Sequence, residues 1–147
     1  MVFYVVLSAC GLLGLSLCLY ILLSKHEKKP LVCPLEGSCD EIIHSKHSQP
    51  LGIPVEIIGI GYYTLILISY GIFALLHAAP APLALITLTF ISTCALLFSV
   101  YLVSIQAFII KHWCSWCLIS AGLSTFICII SFITLSDETL LFVIEKM

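Results

Sequence analysis

The chain has 147 residues, of which 61% are hydrophobic and only 10% are charged, and its formal net charge is −2. A soluble domain normally carries about 25% charged residues, so this composition cannot coat a water-facing surface, and most of the chain must be surrounded by lipid. Arginine is absent, which removes the side chain that usually reads phosphate. Together with the small net charge, this excludes nucleic-acid binding.

Four stretches contain no charged residue, and each is long enough to cross a membrane. They cover residues 1–24, 57–76, 78–110 and 113–136. A helix needs about 20 apolar residues to cross the hydrocarbon core, and in lipid only a helix satisfies its own backbone within one segment. We therefore predict an all-α membrane protein, a single domain over residues 1–147 that forms a four-transmembrane-helix bundle with helices at about residues 2–23, 54–77, 83–110 and 113–135.

The segment between the first two helices, residues 25–53, is predicted to be an extramembrane loop. Residues 25–56 hold nine of the fourteen charged residues of the chain. Within the loop, residues 40–47 are expected to form a short helix lying on the membrane, and Pro54 suits the first turn of the second helix. The parity of four helices places this loop and the turn at Lys111 on one side of the membrane, and both termini on the other.

Eight cysteines divide into two groups. Cys10, Cys18, Cys94 and Cys128 lie inside apolar spans without near partners, where cysteine behaves as a small hydrophobic residue, and we predict a packing role for them. The other four share one side of the membrane in the predicted topology. They are Cys33 and Cys39 in the loop, and Cys114 and Cys117 as C-S-W-C at the start of the fourth helix.

The spacing of Cys114 and Cys117 is typical of redox chemistry. Residues three apart lie on one face of a helix, so the two sulfurs can form or open a disulfide with little backbone motion. A helix N-terminus favours a thiolate, and only the thiolate attacks a disulfide. Three alternatives remain. One is a non-catalytic four-helix membrane protein with two structural disulfides, another is a four-cysteine zinc site, which would normally show two short pairs, and the third is chance placement of C-x-x-C in a cysteine-rich chain.

The chain resembles the vitamin K epoxide reductase (VKOR) family in its short prokaryotic form, without the fused thioredoxin-like domain. That family combines four helices with a loop cysteine pair, a nearby serine or threonine, a glycine–proline entry into the second helix and a C-x-x-C at the head of the fourth. The matching residues are Cys33, Cys39, Ser45, Gly52, Ile53, Pro54, Tyr63, and the run Cys114, Ser115, Trp116 and Cys117.

The resemblance implies an oxidoreductase that passes electrons from protein thiols to a membrane quinone, either ubiquinone or menaquinone, without a metal. Cys33 would meet a thioredoxin-fold partner, expected to be a separate chain, and Cys39 would pass electrons to Cys114. Cys117 would face the quinone, with Ser45 near it or held in a local turn. Where the animal enzymes carry a tyrosine one turn beyond the second C-x-x-C cysteine, this chain has Ala121, which favours plain quinone reduction over epoxide reduction.

Glu56 is the one acidic residue that enters an apolar region, at the head of the second helix. Ionisable residues at such positions are costly and often functional. Two interpretations follow for it: a position near the quinone, with a route for protons, or a carboxylate that reaches out to the membrane interface.

The orientation in a cytoplasmic (inner) membrane is predicted from chemistry. Disulfides form in oxidising compartments, so we expect the cysteine loop to face the periplasm or exterior. The positive-inside rule favours the inverted orientation, which remains an alternative, because only Lys146 lies on the side of the termini. Five lysines lie on the cysteine side, namely Lys25, Lys28, Lys29, Lys46 and Lys111.

Overall fold

The described part of the computed structural model, residues 2–27, 54–77 and 80–147, forms four long helices and contains no strand. Each helix is long and apolar enough to cross a membrane, which confirms the predicted all-α membrane architecture. The loop helix predicted at residues 40–47 lies outside the described residues. The helices are α1 (Val2–His26), α2 (Val55–Leu76), α3 (Pro82–Ile105) and α4 (Ser115–Lys146).

Proline and left-handed residues set the helix ends. Pro54 is the extended residue just before α2, with φ −58° and ψ 131°, and Pro82 opens α3, where the missing N–H of proline costs nothing. At its other end α3 continues as a π-helical turn, Gln106–Ile110. Lys111 (φ 57°) then leaves the helix in the left-handed conformation, as His77 (φ 49°) does after α2.

The fourth helix starts at Ser115 and continues to Lys146, beyond the predicted end near residue 135. Its 32 residues correspond to about 48 Å of helix, whereas the hydrocarbon core is about 30 Å thick. Asp137 and Glu138 end the apolar run without ending the helix, because glutamate and leucine are good helix formers. Moreover, the Tyr4 hydroxyl donates a hydrogen bond of 2.7 Å to Glu138 Oε1, which ties the extension to the start of α1.

Close packing of α1 on α2 depends on two glycines. A Cβ atom on Gly11 would lie 2.9 Å from the backbone nitrogen of Leu67, and one on Gly14 would overlap the ring of Tyr63. Small residues at such crossings let membrane helices approach closely and gain van der Waals contact. The main core lies beside this crossing and includes Leu7, fully buried between the helices.

Hydroxyl groups link α2 to its neighbours inside the bundle. The Tyr63 hydroxyl lies 3.0 Å from Ser120 Oγ and 3.2 Å from Ser124 Oγ, both on α4. Two turns further along α2, the Tyr70 hydroxyl lies 3.2 Å from Ser131 Oγ. Such interhelical hydrogen bonds contribute about 0.6 kcal/mol each in a bilayer, and they fix the rotation of α2 relative to α4.

We expect Gly14→Ala to destabilise the protein by about 1–3 kcal/mol, the usual cost of overpacking a tight core. The Tyr63 ring cannot move aside, because it is 1% exposed and its hydroxyl is held by Ser120 and Ser124. Denaturant unfolding in detergent micelles measures the change. The control is Gly61→Ala, since a Cβ atom there meets nothing within 4 Å. Equal stability of the two variants would contradict close packing at Gly14.

Candidate functional site

The candidate site lies at the end of the bundle where the last turn of α1, the first turn of α2, the π-helical turn and the start of α4 meet. We call this the cysteine end, because Cys114 and Cys117 lie there. Ile21 of α1 and Cys114 are both buried in one small cluster, with Ile110 and Cys117 packed against them. The last turn of α1, the π-helical turn and the start of α4 therefore surround the C-x-x-C pair.

The side chain of Gln106 holds the C-x-x-C segment in place. Its Oε1 accepts a hydrogen bond of 3.4 Å from the Cys114 backbone N–H, and its amide group also hydrogen-bonds the Cys117 thiol. Gln106 is only 3% exposed and is the first residue of the π-helical turn. Such turns are rare and occur frequently at functional sites. The side chain thus fixes both ends of the motif at once.

The two sulfurs of the motif lie in different surroundings. Cys114 is completely buried, with 0% exposure, and precedes α4 as its N-cap residue, in an extended conformation. Cys117, one turn further on, is partly exposed and lines a cavity inside the bundle. Both are free thiols. The pair therefore has an inner member shielded by protein and an outer member open to the cavity.

The inner thiol is acidic for a cysteine. A hydrogen bond from the Cys117 thiol, assisted by the backbone amides of Cys117 and Trp116, lowers the pKa of Cys114 to about 7. Burial and the negative charge of Glu56 act in the opposite direction and are outweighed. Because the thiolate is the reactive form, Cys114 is prepared for disulfide exchange near neutral pH.

We expect Cys114 in the reduced protein to ionise with a midpoint near pH 7. A large share of it would be thiolate at neutral pH, whereas an ordinary cysteine, with a pKa of about 8.5, would remain mostly protonated. The measurement is the ultraviolet thiolate absorbance of the wild type minus that of Cys114→Ser. Cys117→Ala should raise the midpoint, since the principal hydrogen bond is lost. A wild-type midpoint near 9 would contradict the assignment.

The cavity beside Cys117 has a volume of about 370 Å³, within the range of small-molecule binding sites. Its walls come from all four helices and are mostly aliphatic and aromatic, with a few polar groups among them. Ala121 also lines it, one turn beyond Cys117. The polar and sulfur-containing side chains in the lining are Cys18, Glu56, Tyr62, Tyr63, Cys94, Ser99, Gln106, Cys117, Ser120 and Ser124.

Glu56 is buried in the wall of this cavity. Its residue exposure is 5%, and its Oε1 lies 3.4 Å from Nζ of Lys25 at the end of α1. Its other oxygen, Oε2, has no hydrogen-bond partner among the described residues. The ion pair to Lys25 and the packing of α1 on α2 therefore hold the Glu56 side chain inside the end of the bundle.

The structure brings together Cys114, Cys117 and Glu56 of the residues predicted from sequence. Cys33, Cys39 and Ser45 lie outside the described residues. The packing role is confirmed for three of the four remaining cysteines, which are buried, and it is wrong for Cys94, which is exposed on α3 and lines the cavity. Within residues 2–27, 54–77 and 80–147, no three metal-ligating side chains are grouped around a common point.

Sequence reasoning missed Gln106. A signal was present, since Gln106 is the only amide side chain in the third apolar stretch and comes eight residues before Cys114. A separation of eight residues does not by itself predict that Gln106 contacts Cys114, because the chain reverses direction between them. The contact depends on the π-helical turn and on the left-handed Lys111 that follows it, neither of which the sequence marks.

A bundle of four membrane-spanning helices that holds a C-x-x-C pair against an internal cavity defines a membrane-embedded dithiol protein. The family model described as vitamin K epoxide reductase family matches residues 4–132, so the chain belongs to that family and is a multi-pass membrane thiol–disulfide oxidoreductase. Among curated proteins, none matches this chain.

Proposed function

We propose that this protein is a quinone-dependent thiol oxidase that generates disulfides by reoxidising a thioredoxin-fold partner. Electrons would pass from the partner to Cys33 and Cys39, then to Cys114 and Cys117, and finally to a membrane quinone. The observation that carries this proposal is the position of Cys117, which is the sulfur that lines the cavity while Cys114 is buried behind it. An acceptor in the cavity would meet one defined member of the pair.

The burial of Cys114 supports an internal relay. A sulfur with no exposed surface is inaccessible to a folded partner protein, so its exchange partner must be a thiol of the same chain that can enter the bundle end. The family resemblance implies that Cys39 is the thiol that exchanges with Cys114, and that Cys33 exchanges with the thioredoxin-fold protein. The low pKa of Cys114 makes it a good leaving group as well as a nucleophile in such an exchange.

The cavity suits a quinone. Quinones have a flat ring with two carbonyl oxygens and an apolar tail, and the cavity offers apolar walls with a few polar groups near the cysteine end. Among these, Glu56 would lie near the ring, and Ser45 is proposed there from the resemblance. Ala121 in the lining leaves space where the animal enzymes place a tyrosine, which supports ubiquinone or menaquinone, rather than a quinone epoxide, as the acceptor.

The direct test is turnover by the purified protein. We expect detergent-solubilised wild type, supplied with a reduced thioredoxin-fold oxidase and a soluble ubiquinone or menaquinone analogue, to oxidise the partner and reduce the quinone in equal amounts. A structural-disulfide protein would do neither, and its disulfides would resist added thiol. Absence of quinone reduction with both analogues, in protein whose Cys114–Cys117 disulfide exchanges readily, would overturn the quinone assignment.

The proposed location is the cytoplasmic membrane, with the cysteine end facing the oxidising exterior. The proposal is supported by the redox requirement and opposed by the lysine distribution. A fusion of alkaline phosphatase after Met147 tests it in the native host, because that enzyme is active only outside the cytoplasm. An inactive fusion is expected. An active one would place the termini outside and would indicate the inverted orientation, in which cytoplasmic proteins are oxidised.

A further inference from the structure

Oxidation of a dithiol by a quinone requires proton transfer as well as electron transfer. Closing the Cys114–Cys117 disulfide breaks two S–H bonds, forms one S–S bond and releases two electrons and two protons. Reducing a quinone to a hydroquinone consumes two of each. The totals balance, but the cavity wall beside Cys117 is mostly apolar, so the protons need a carrier between sulfur and the acceptor oxygen.

We propose that Glu56 is that carrier, accepting a proton from the cysteine pair on Oε2 and delivering it to the acceptor in the cavity. This inference rests on the proposed function and adds a residue role to it. Three observations support it: the carboxylate is 95% or more buried, its Oε2 has no hydrogen-bond partner among the described residues, and the residue lines the same cavity as Cys117.

An unpaired buried carboxylate oxygen is unusual. Buried polar atoms almost always have a partner, and each exception in a native protein requires an explanation. The other oxygen of Glu56 is paired with Lys25, so the ion pair holds the side chain while leaving one oxygen available. If the ion pair only joined α1 to α2, we would expect both carboxylate oxygens of Glu56 to have hydrogen-bond partners.

The groups that face Glu56 from the described elements fit a transfer role. From α1 these are Lys25 and Cys18, and the Glu56 charge acts on the Cys18 thiol. From the α4 side its charge acts on both Cys114 and Cys117. Cys94 of α3 lines the same cavity. Lys25 keeps 15% of its side chain exposed, so the ion pair lies at the edge of the site.

The two protons that the acceptor needs can then be followed one at a time. The Cys117 S–H bond breaks and an O–H bond forms on Glu56, which next gives that proton to one carbonyl oxygen of the reduced acceptor. The second proton, from Cys114 or from water where that thiol is already ionised, follows through the same carboxylate to the other oxygen. Two electrons leave the sulfurs as their S–S bond forms. Glu56 ends ionised and again paired with Lys25, as it began.

The test is Glu56→Gln, which keeps the size and polarity of the side chain and removes its ability to accept a proton. In single-turnover reactions of the reduced protein with a soluble quinone, we expect a slowing of about 100-fold, within the range for loss of a general acid–base group. We also expect the pH dependence of this step to change. Exchange of the Cys114–Cys117 disulfide with a small dithiol should change far less than quinone reduction, because that step does not need the carboxylate as a proton carrier.

Two further variants separate transfer from structure. Glu56→Asp retains a carboxylate and should recover part of the lost rate, whereas a purely structural ion pair would be weakened by the shorter side chain. Glu138→Gln, at the other end of the bundle, is the matched control and should behave as wild type. In the wild type itself, quinone reduction should slow in deuterium oxide, a measurement that does not depend on any variant folding.

The possible failures are distinguishable. Wild type that exchanges thiols but reduces no quinone would overturn the proposed function and this inference with it. Wild type that turns over alongside an equally fast Glu56→Gln, with the same pH profile, would overturn the inference alone. So would a Glu56→Gln variant that loses thiol exchange, quinone reduction and thermal stability together, or a wild-type rate unaffected by deuterium oxide.

Discussion

Replacing Cys117 with serine is expected to abolish quinone reduction and to leave a folded, membrane-inserted protein. Cys117 is the sulfur of the pair that lines the cavity, and a hydroxyl group can form neither a disulfide nor a thiolate near neutral pH. The loss should reach at least about 1,000-fold, the scale on which enzymes respond to removal of a reacting nucleophile. Serine is close in size and can keep the hydrogen bond with Gln106, so stability should change little.

The matched control for this experiment is Cys128→Ser. Cys128 lies on the same helix and is buried, but it does not line the cavity, and its sulfur lies 3.8 Å from the Thr93 hydroxyl. This variant should retain turnover. Quinone absorbance during turnover and the unfolding temperature of each variant are the two measurements. Full turnover by Cys117→Ser would contradict the proposed path of electrons, because Cys114 and Cys117 form the only C-x-x-C pair in the sequence.

Replacing Cys117 with alanine should convert a transient intermediate into the main oxidised species. If Cys39 passes electrons to Cys114, it attacks the Cys114–Cys117 disulfide at Cys114 and releases Cys117 as a thiolate, so Cys39 and Cys114 are joined during each turnover. Without Cys117, Cys114 has lost its C-x-x-C partner, and on oxidation the Cys39–Cys114 disulfide should accumulate. The variant is treated with the partner and oxidised. Peptide mapping under non-reducing conditions then identifies the linked peptides directly.

The double variant Cys39→Ser and Cys117→Ala is the control, and it should lack the linked peptides. Recovery of Cys33 joined to Cys39 as the only disulfide in Cys117→Ala would mean that the loop does not exchange with the helix. Recovery of Cys33 joined to Cys114 would keep an internal relay but reverse the assigned order of the two loop cysteines. Each result therefore assigns a different path for the electrons.

The fold was largely predictable because lipid imposes a simple rule on sequence. Long uncharged stretches identified four helices, and all four are present. The end of α4 was not predicted correctly, because the charges at Asp137 and Glu138 mark where the apolar region ends and not where the helix does. The hydrogen bond from Tyr4 to Glu138 joins residues 134 positions apart, and no local pattern indicates it.

The site was predictable only in part. The spacing of Cys114 and Cys117 and the isolated charge of Glu56 are local signals, and they identified three residues that meet at the cysteine end. The difference between the two sulfurs is not a local property. It arises because Ile21 and Ile110 pack around Cys114 while Cys117 faces the space between helices. The role of Gln106 likewise depends on a π-helical turn that sequence does not specify.

The cavity is bordered by side chains that also form the outer surface of the bundle. Ile58 is 43% exposed and Cys94 is exposed on α3, yet both line the cavity. For the proposed acceptor, the route in and out therefore runs sideways from the bilayer, and its tail can stay among lipid chains throughout. The effective substrate concentration is then a mole fraction in the membrane. Diluting the acceptor with extra phospholipid should slow turnover, whereas diluting the vesicles with buffer should not.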